Sequence, residues 1–217
     1  MMKKRLLYLA IATIVLTSCT EDRAIEVNKP IVIDPASELI YYWNFNTLVG
    51  TATAVAPDFT ATAGSASITY DGTGPGYMDG DIGGYSINAR NNDLAESLLK
   101  VRNPSNTRKL VFGLPTSGFK KVVLQFALSR SNNGATIQNY SYTTDGTNYI
   151  STGLSKISHN PMPDPLVDLI SIDFSAIDAV NNNPNFKFQI EFAGDAAANP
   201  TGNNRFDNVT LEGIPLL

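Results

Sequence analysis

The 217-residue sequence predicts an all-β fold, an antiparallel β-sandwich of the jelly-roll type. Short apolar runs alternate with a period of two residues, and clusters of Gly, Asn, Asp and Pro separate each run from the next. Only residues 92–101 fit a short helix, and they fit a strand equally well. Many short strands without amphipathic helices are typical of two packed antiparallel sheets.

Local alternation predicts the individual strands. The segment ELIYYWNFNTL at 38–48 opens the domain, with Leu39, Tyr41 and Trp43 on one face. The glycine-dense stretch 72–84 predicts a loop. Further strands are predicted at 65–70, 85–90, 109–115, 119–130, a hairpin over 137–152 that turns at Asp145-Gly146, 168–174, 185–194, and the C-terminal run with Val209, Leu211 and Ile214.

The N-terminus has the pattern of a secretory signal. A basic start is followed by the apolar stretch 6–18, which is shorter than the about 20 residues that span a bilayer. The segment LTSC at 16–19 resembles a bacterial lipobox, which implies that Cys19, the only cysteine, is acylated and becomes the mature N-terminus. The alternative is an ordinary signal peptide followed by a chance cysteine.

The residues after Cys19 predict where the protein is located. The pair Glu21-Asp22 resembles the signal that sends lipoproteins of Bacteroidota to the outer face of the outer membrane. We therefore expect a signal peptide over 1–18, a flexible tether over 19–38 that holds the lipid, and a β-sandwich domain over 39–217. The expected partner at the N-terminus is the membrane.

Composition excludes several functions. The chain has 16 Lys and Arg against 20 Asp and Glu, and three of the bases lie within 1–18, so the acidic mature surface argues against nucleic-acid binding. The one histidine, His159, lies in a proline-rich loop, and no nucleophile elbow or zinc ligand set is present. Glu191 and Glu212 alternate toward solvent and form no recognisable catalytic pair. We therefore expect a protein without enzymatic activity.

Three clusters of arginine and asparagine flank predicted strands. If the last strand runs antiparallel to the two others, the clusters gather at one end of the sandwich. Guanidinium and amide groups would suit sugar hydroxyls or a uronic-acid carboxylate. The alternative is structural, because Asn is a common turn residue and Arg can brace loops. The candidate ligand-binding residues are Arg90, Asn91, Arg130, Asn132, Asn133, Asn204 and Arg205, and the candidate stacking rings are Tyr77, Tyr85, Tyr140, Tyr142 and Tyr149.

The opening YYWNFN and the closing NRFDNVTLEG resemble the ends of jelly-roll domains in bacterial surface proteins. These domains include carbohydrate-binding modules, galactose-binding-like domains and adhesin domains. The resemblance implies a jelly roll that binds an extracellular glycan without catalysis, either at the Arg/Asn end or in the 72–84 loop. The alternatives are a structural or adhesive surface protein that contacts other proteins, and an unrecognised hydrolase.

The same resemblance implies a structural calcium ion near the paired terminal strands. The matching positions are Asn44, Asn46 and Asp207. Calcium prefers six to eight oxygen ligands that include carboxylates, and this chain has amides where many such modules have acids. The alternatives are that Asp207 accepts backbone N–H groups or pairs with Arg205.

Overall fold

The computed structural model describes residues 35–62 and 64–217. The predicted signal peptide, Cys19 and the tether up to residue 34 lie outside the described residues. Asp34–Leu217 form one compact unit, to which every described residue belongs. Within the described ranges, no helix combines the length and the apolar character needed to cross a membrane.

Two antiparallel sheets make up the described domain, which confirms the predicted β-sandwich. The larger sheet has eight described strands: β1 Glu38–Trp43, β2 Thr51–Ala52, β4 Phe59–Thr60, β6 Met78–Ile82, β7 Ser97–Arg102, β9 Phe119–Arg130, β12 Asp168–Asp173 and β14 Asn203–Pro215. The smaller sheet has six: β3 Ala54–Val55, β5 Ser67–Tyr70, β8 Lys109–Gly113, β10 Ile137–Thr143, β11 Ser158–His159 and β13 Lys187–Ala193. Two short 3-10 helices, Asp178–Val180 and Asp195–Ala198, lie in connections.

From β7 onward the chain passes between the sheets at almost every connection, as in a jelly roll. The longer strands therefore each contribute one face to a shared core. Aromatic rings from both sheets meet there: the Phe112 ring centroid lies 6.0 Å from that of Phe126 and 6.4 Å from that of Phe206. Packing of these rings across the interlayer space stabilises the sandwich.

Strand β14 lies at the centre of the larger sheet. It pairs with β9 on one edge, while its other edge pairs first with β7, over Asn203–Phe206, and then with β1, over Val209–Gly213. The change of partner coincides with an irregularity after Asp207, where Asn208 has a positive φ of 46°. This bulge keeps Phe206 and Val209 both in the core.

Two sequence predictions of local structure are wrong. The predicted loop 72–84 contains strand β6, and the predicted strand 85–90 is a loop. Its residue Asn88 has a φ of 64°, and the Asn88 side-chain amide donates to the Asn208 carbonyl oxygen at 2.7 Å. The loop is thus held by side-chain bonds to β14 rather than by strand pairing. The ambiguous segment 92–101 is a strand in its second half, within β7.

We expect Phe206→Ala to lower the free energy of unfolding by about 3–5 kcal/mol, because the buried ring fills the space between the sheets. Urea denaturation monitored by tryptophan fluorescence measures this change. Ile82→Ala is the control, since that side chain is 84% exposed and its loss should change stability by about 0.5 kcal/mol or less. Equal effects of the two substitutions would contradict the placement of β14 in the core.

Candidate functional site

Residues 83–96 connect β6 to β7 and are called here the cover loop; they lie over β14 and β9 on the outer face of the larger sheet. The Tyr85 hydroxyl lies 2.6 Å from the Ser129 hydroxyl, and the Tyr85 backbone N–H donates to Asp207 Oδ2 at 2.6 Å. The Asn208 side-chain amide donates to the Tyr85 carbonyl oxygen at 2.5 Å. As a result Ser129, on an outward position of β9, is fully buried.

Arg90 links the middle of the cover loop to β14. Its Nε and Nη2 both donate to Glu212 Oε1, at 2.9 and 2.8 Å, and its Nη1 donates to the Asn88 carbonyl oxygen at 2.8 Å. Asn91 beside it is exposed, with a φ of 56°. The guanidinium group therefore joins the loop to the end of β14.

The structure brings the other two arginine clusters together. Asn204 pairs with Arg130 and Arg205 with Ser129 across β14 and β9. Arg90 contacts Glu212 instead, seven positions beyond Arg205 along β14, which is about 20 Å away. Two of the three clusters thus meet at one pole, and the third lies near the opposite end of the strand.

The side chains at this pole bond to the protein itself. Arg130 Nε donates to the Pro161 carbonyl oxygen at 3.0 Å, and Arg205 Nη1 lies 2.9 Å from Asp164 Oδ2. Asn204 is fully buried and donates to the Ala135 carbonyl oxygen at 3.1 Å. Of the predicted ligand residues here, the side chains of Asn132 and Asn133 are exposed, on a turn. The arrangement favours loop bracing, and ligand contact at this pole stays a prediction.

The three candidate calcium ligands are already hydrogen-bonded. Asn44 Oδ1 accepts the N–H of Asn46 at 3.0 Å, and Asn46 Oδ1 accepts the N–H of Ser97 at 3.0 Å. Both carboxylate oxygens of Asp207 accept backbone N–H groups. Among the described residues, no three His, Cys, Asp or Glu side chains form a group that could hold a metal ion. These oxygens fit a calcium shell only if they give up the present bonds, and calcium binding stays a prediction.

The outer face of the smaller sheet is open and polar. Strand register aligns outward side chains in rows that cross the sheet: Asn139, Glu191 and Lys109 form one row, and Ser141, Gln189 and Val111 form the next. Asn139 and Lys109 are exposed. Both rows, apart from Val111, line a cavity of about 500 Å³ whose wall is the segment 149–152, which forms a bridge to β10 between Ile150 and Tyr142.

This cavity continues into a second one along the sheet. The second cavity has a volume of about 310 Å³ and extends to residues 106–108 and Ala193. Asn139, Glu191 and Lys109 line both cavities. We call the continuous depression the sheet groove.

The sheet groove offers both donors and acceptors. Lys109 Nζ lies 2.7 Å from Glu191 Oε1, so these two charges compensate each other in the middle of the groove. The Gln189 amide donates to the Ser141 hydroxyl at 3.2 Å and to Glu191 Oε1 at 3.3 Å, which fixes its orientation. Burial raises the pKa of Tyr149 further above neutral pH, at which a tyrosine hydroxyl is already protonated and can donate.

None of the predicted ligand-binding or calcium-binding residues lies in the sheet groove. Among the candidate stacking rings, Tyr140 and Tyr142 are buried in the core and Tyr85 is bonded to Ser129, whereas Tyr77 and Tyr149 line cavities. The alternation of polar residues along β10 and β13 was the signal that could have indicated the groove. To place these residues side by side requires the register between the two strands, which the sequence does not specify.

His159 braces a loop. Its Nε2 lies 2.9 Å from Asp168 Oδ2, which also accepts the backbone N–H of Met162 at 3.0 Å. The contact joins β11 to the start of β12, so this histidine has a structural role that was not predicted from the sequence.

The chain matches no protein-family model and no curated protein sequence. Its fold is similar to that of several solved structures. The K2 cleaved adhesin domain of Lys-gingipain aligns at 10% identity with a TM-score of 0.41, over 66% of this chain and 88% of that domain. The N-terminal cellulose-binding domain of β-1,4-glucanase C from Cellulomonas fimi aligns at 14% identity with a TM-score of 0.38, over 64% and 90%.

A putative sugar-binding protein from Bacteroides thetaiotaomicron aligns at 15% identity with a TM-score of 0.38, over 70% of this chain and 89% of that one. At TM-scores of this size the strand pairing described above, rather than the likeness, defines the fold of this chain.

Asp207, which holds the cover loop, makes the free energy of unfolding depend on pH. Burial of the carboxyl raises its pKa to about 7, against the opposing effect of the N–H groups of Tyr85 and Asn208. The pKa in the unfolded chain is about 3.9, so the folded state binds the proton more tightly. The resulting stability is fully present below about pH 4, falls as the pH rises to about 7 and is constant above, with a slope of at most about 1.4 kcal/mol per pH unit.

We expect Asp207→Asn to remove this slope. Urea denaturation of both proteins at several pH values between about pH 4 and pH 8 provides the comparison. The free energy of unfolding of the wild type, relative to that of the variant, should fall across this interval. A difference that does not change with pH would contradict the raised pKa.

Proposed function

We propose that the protein binds an extracellular glycan, without catalysis, in the sheet groove. The observation that carries this proposal is the contrast between the two outer faces. The cover loop lies over β14 and β9 of the larger sheet and buries Ser129, whereas Asn139 and Lys109 stay exposed on the smaller sheet, beside cavities of about 500 and 310 Å³. Volumes of this order are typical of ligand sites.

The groove chemistry suits sugar hydroxyls. Each hydroxyl both donates and accepts, and the groove presents amides, a hydroxyl and an ion pair within reach of one another. The Lys109–Glu191 pair leaves no net charge from these two groups in the middle of the groove. A neutral glycan chain is therefore favoured over a uronic-acid polymer, because the middle of the groove offers no uncompensated positive charge to a carboxylate. Tyr149 at the wall supplies an aromatic surface for the apolar face of a sugar ring.

Affinity electrophoresis in gels that contain xylan, β-glucan, galactan or starch tests this proposal. We expect retardation by at least one polymer. Asn139→Ala combined with Tyr149→Ala should weaken that binding roughly tenfold or more, because a hydrogen bond and a ring contact are lost together.

The matched control is Gln125→Ala, an amide on the outer face of β9 in the opposite sheet, which should leave retardation unchanged. Full binding by the Asn139/Tyr149 double variant would move the site elsewhere. The absence of retardation on every polymer would refute glycan binding of this class.

We also propose that the protein is a lipoprotein on the outer face of the outer membrane. The support is the basic start, the short apolar stretch, the LTSC segment at 16–19 and the acidic pair that follows. Several acyl chains on one residue anchor a protein stably, since each buried CH₂ contributes about 0.8 kcal/mol. The anchor would hold a glycan-binding domain at the cell surface.

Cys19→Ala should abolish this attachment, because the chain has no other cysteine to acylate. Metabolic labelling with radioactive palmitate, followed by detergent phase partitioning, measures the effect. Ser18→Ala is the control, since it retains a small residue before the cysteine and should remain labelled. Equal labelling of the Cys19 variant would show that lipid is not attached at this residue.

A further inference from the structure

Tyr77 ends the loop 71–77 that precedes β6, called here the glycine-rich loop. It lies between two cavities, away from the polar rows of the smaller sheet. One cavity, of about 530 Å³, is lined by Tyr77 together with residues 51–53 and 72–74. The other, of about 280 Å³, is lined by Tyr77, Arg102 and residues 200–202, with Pro75 and Asn103. The larger of these cavities is called here the Tyr77 cavity.

The Tyr77 ring is held in place from one side. The Arg102 guanidinium carbon lies 4.9 Å from the ring centroid, in a cation–π arrangement. Asp79 clamps the same guanidinium group with two hydrogen bonds, at 2.8 and 2.7 Å, and this pair raises the pKa of Arg102. The Asp79 carboxylate thereby neutralises the positive charge of Arg102 on this side of the ring. Arg102 does not line the Tyr77 cavity.

The glycine-rich loop is tightly packed. A Cβ atom at Gly72 would lie 1.9 Å from the Gly76 carbonyl oxygen, and one at Gly76 would lie 2.6 Å from the Pro104 carbonyl oxygen. Arg108 braces the loop from below, since it donates to the carbonyl oxygens of Gly76 and, at 3.1 Å, Thr73. Gly72 and Gly76 are therefore required by close backbone approach, whereas Gly74 has open space beside it and a φ of 62°. The packed backbone forms a preorganised wall.

We propose that the Tyr77 cavity is a second carbohydrate site, which takes one uncharged pyranose unit. The aromatic ring provides a flat surface for the apolar face of the sugar. Around it lie the hydroxyls of Thr51, Thr53 and Thr73 and the backbone of the loop, which can donate to and accept from sugar hydroxyls. The lining contains no charged side chain, so the cavity offers no partner to a carboxylate or an amine.

This site is independent of the sheet groove. The two share no lining residue, although Arg108 lines the end of the groove and also holds the loop of the cavity. A glycan with a branch or a free end could occupy both, and linked binding then raises overall affinity through effective concentration. The second site can nevertheless be tested with single sugars.

Protein-observed ¹H–¹⁵N NMR with the methyl glycosides of glucose, galactose, mannose and xylose provides the test. We expect at least one glycoside to shift backbone amides within 51–53 and 72–77. Tyr77→Ala should weaken this binding roughly tenfold, and Tyr77→Phe, which keeps the ring, should retain it within about twofold.

The shift map of the wild type decides the outcome even if Tyr77→Ala fails to fold. If none of the four glycosides shifts these amides, or if Tyr77→Ala binds as tightly as the wild type, the proposal is overturned. Asn139→Ala is the matched control, because it alters the sheet groove and should leave the glycoside shifts intact. Loss of polysaccharide retardation in that variant with glycoside binding preserved would separate the two sites.

Discussion

Backbone pairing along β14 is the interaction on which the rest of the domain depends. One edge of this strand pairs with β9, and its other edge is divided between β7 and β1 at the bulge after Asp207. The bulge places Phe206 and Val209 in the same core, and it turns Asp207 and Asn208 toward the loop that covers the sheet. Removal of β14 would leave β9, β7 and β1 each with one unpaired edge.

The same strand determines which face of the sandwich is free. Because Asp207 and Asn208 bind the cover loop, and Glu212 binds Arg90, the outer face of the larger sheet around β14 is closed by the protein itself. On the smaller sheet, Asn139 and Lys109 remain exposed among the described residues. Polar groups on a closed face find partners within the protein, whereas those on an open face are available to a ligand.

Local pattern predicted much of the fold. Strand β9 has the predicted bounds 119–130, since its apolar alternation is uninterrupted and turn residues flank it. Alternation at 85–90 predicted a strand where the structure has a loop. The left-handed backbone at Asn88 and the hydrogen bonds of this segment to β14 depend on residues distant in sequence, which local alternation does not report. The candidate site was harder to predict. Whether Arg90 meets Arg205 depends on register and on the path of one loop, and neither is encoded in local spacing.

The central strand β14 is the last of the described strands in chain order. Glu38 in the first described strand pairs with Gly213 in β14, so the larger sheet cannot close until both of these strands are present. Pairing between segments so far apart in sequence makes folding slow, because loop closure comes before the contacts that compensate for it. Until β14 is present, β1 and β9 each keep one unpaired edge, and the strands on its two sides have nothing to join them.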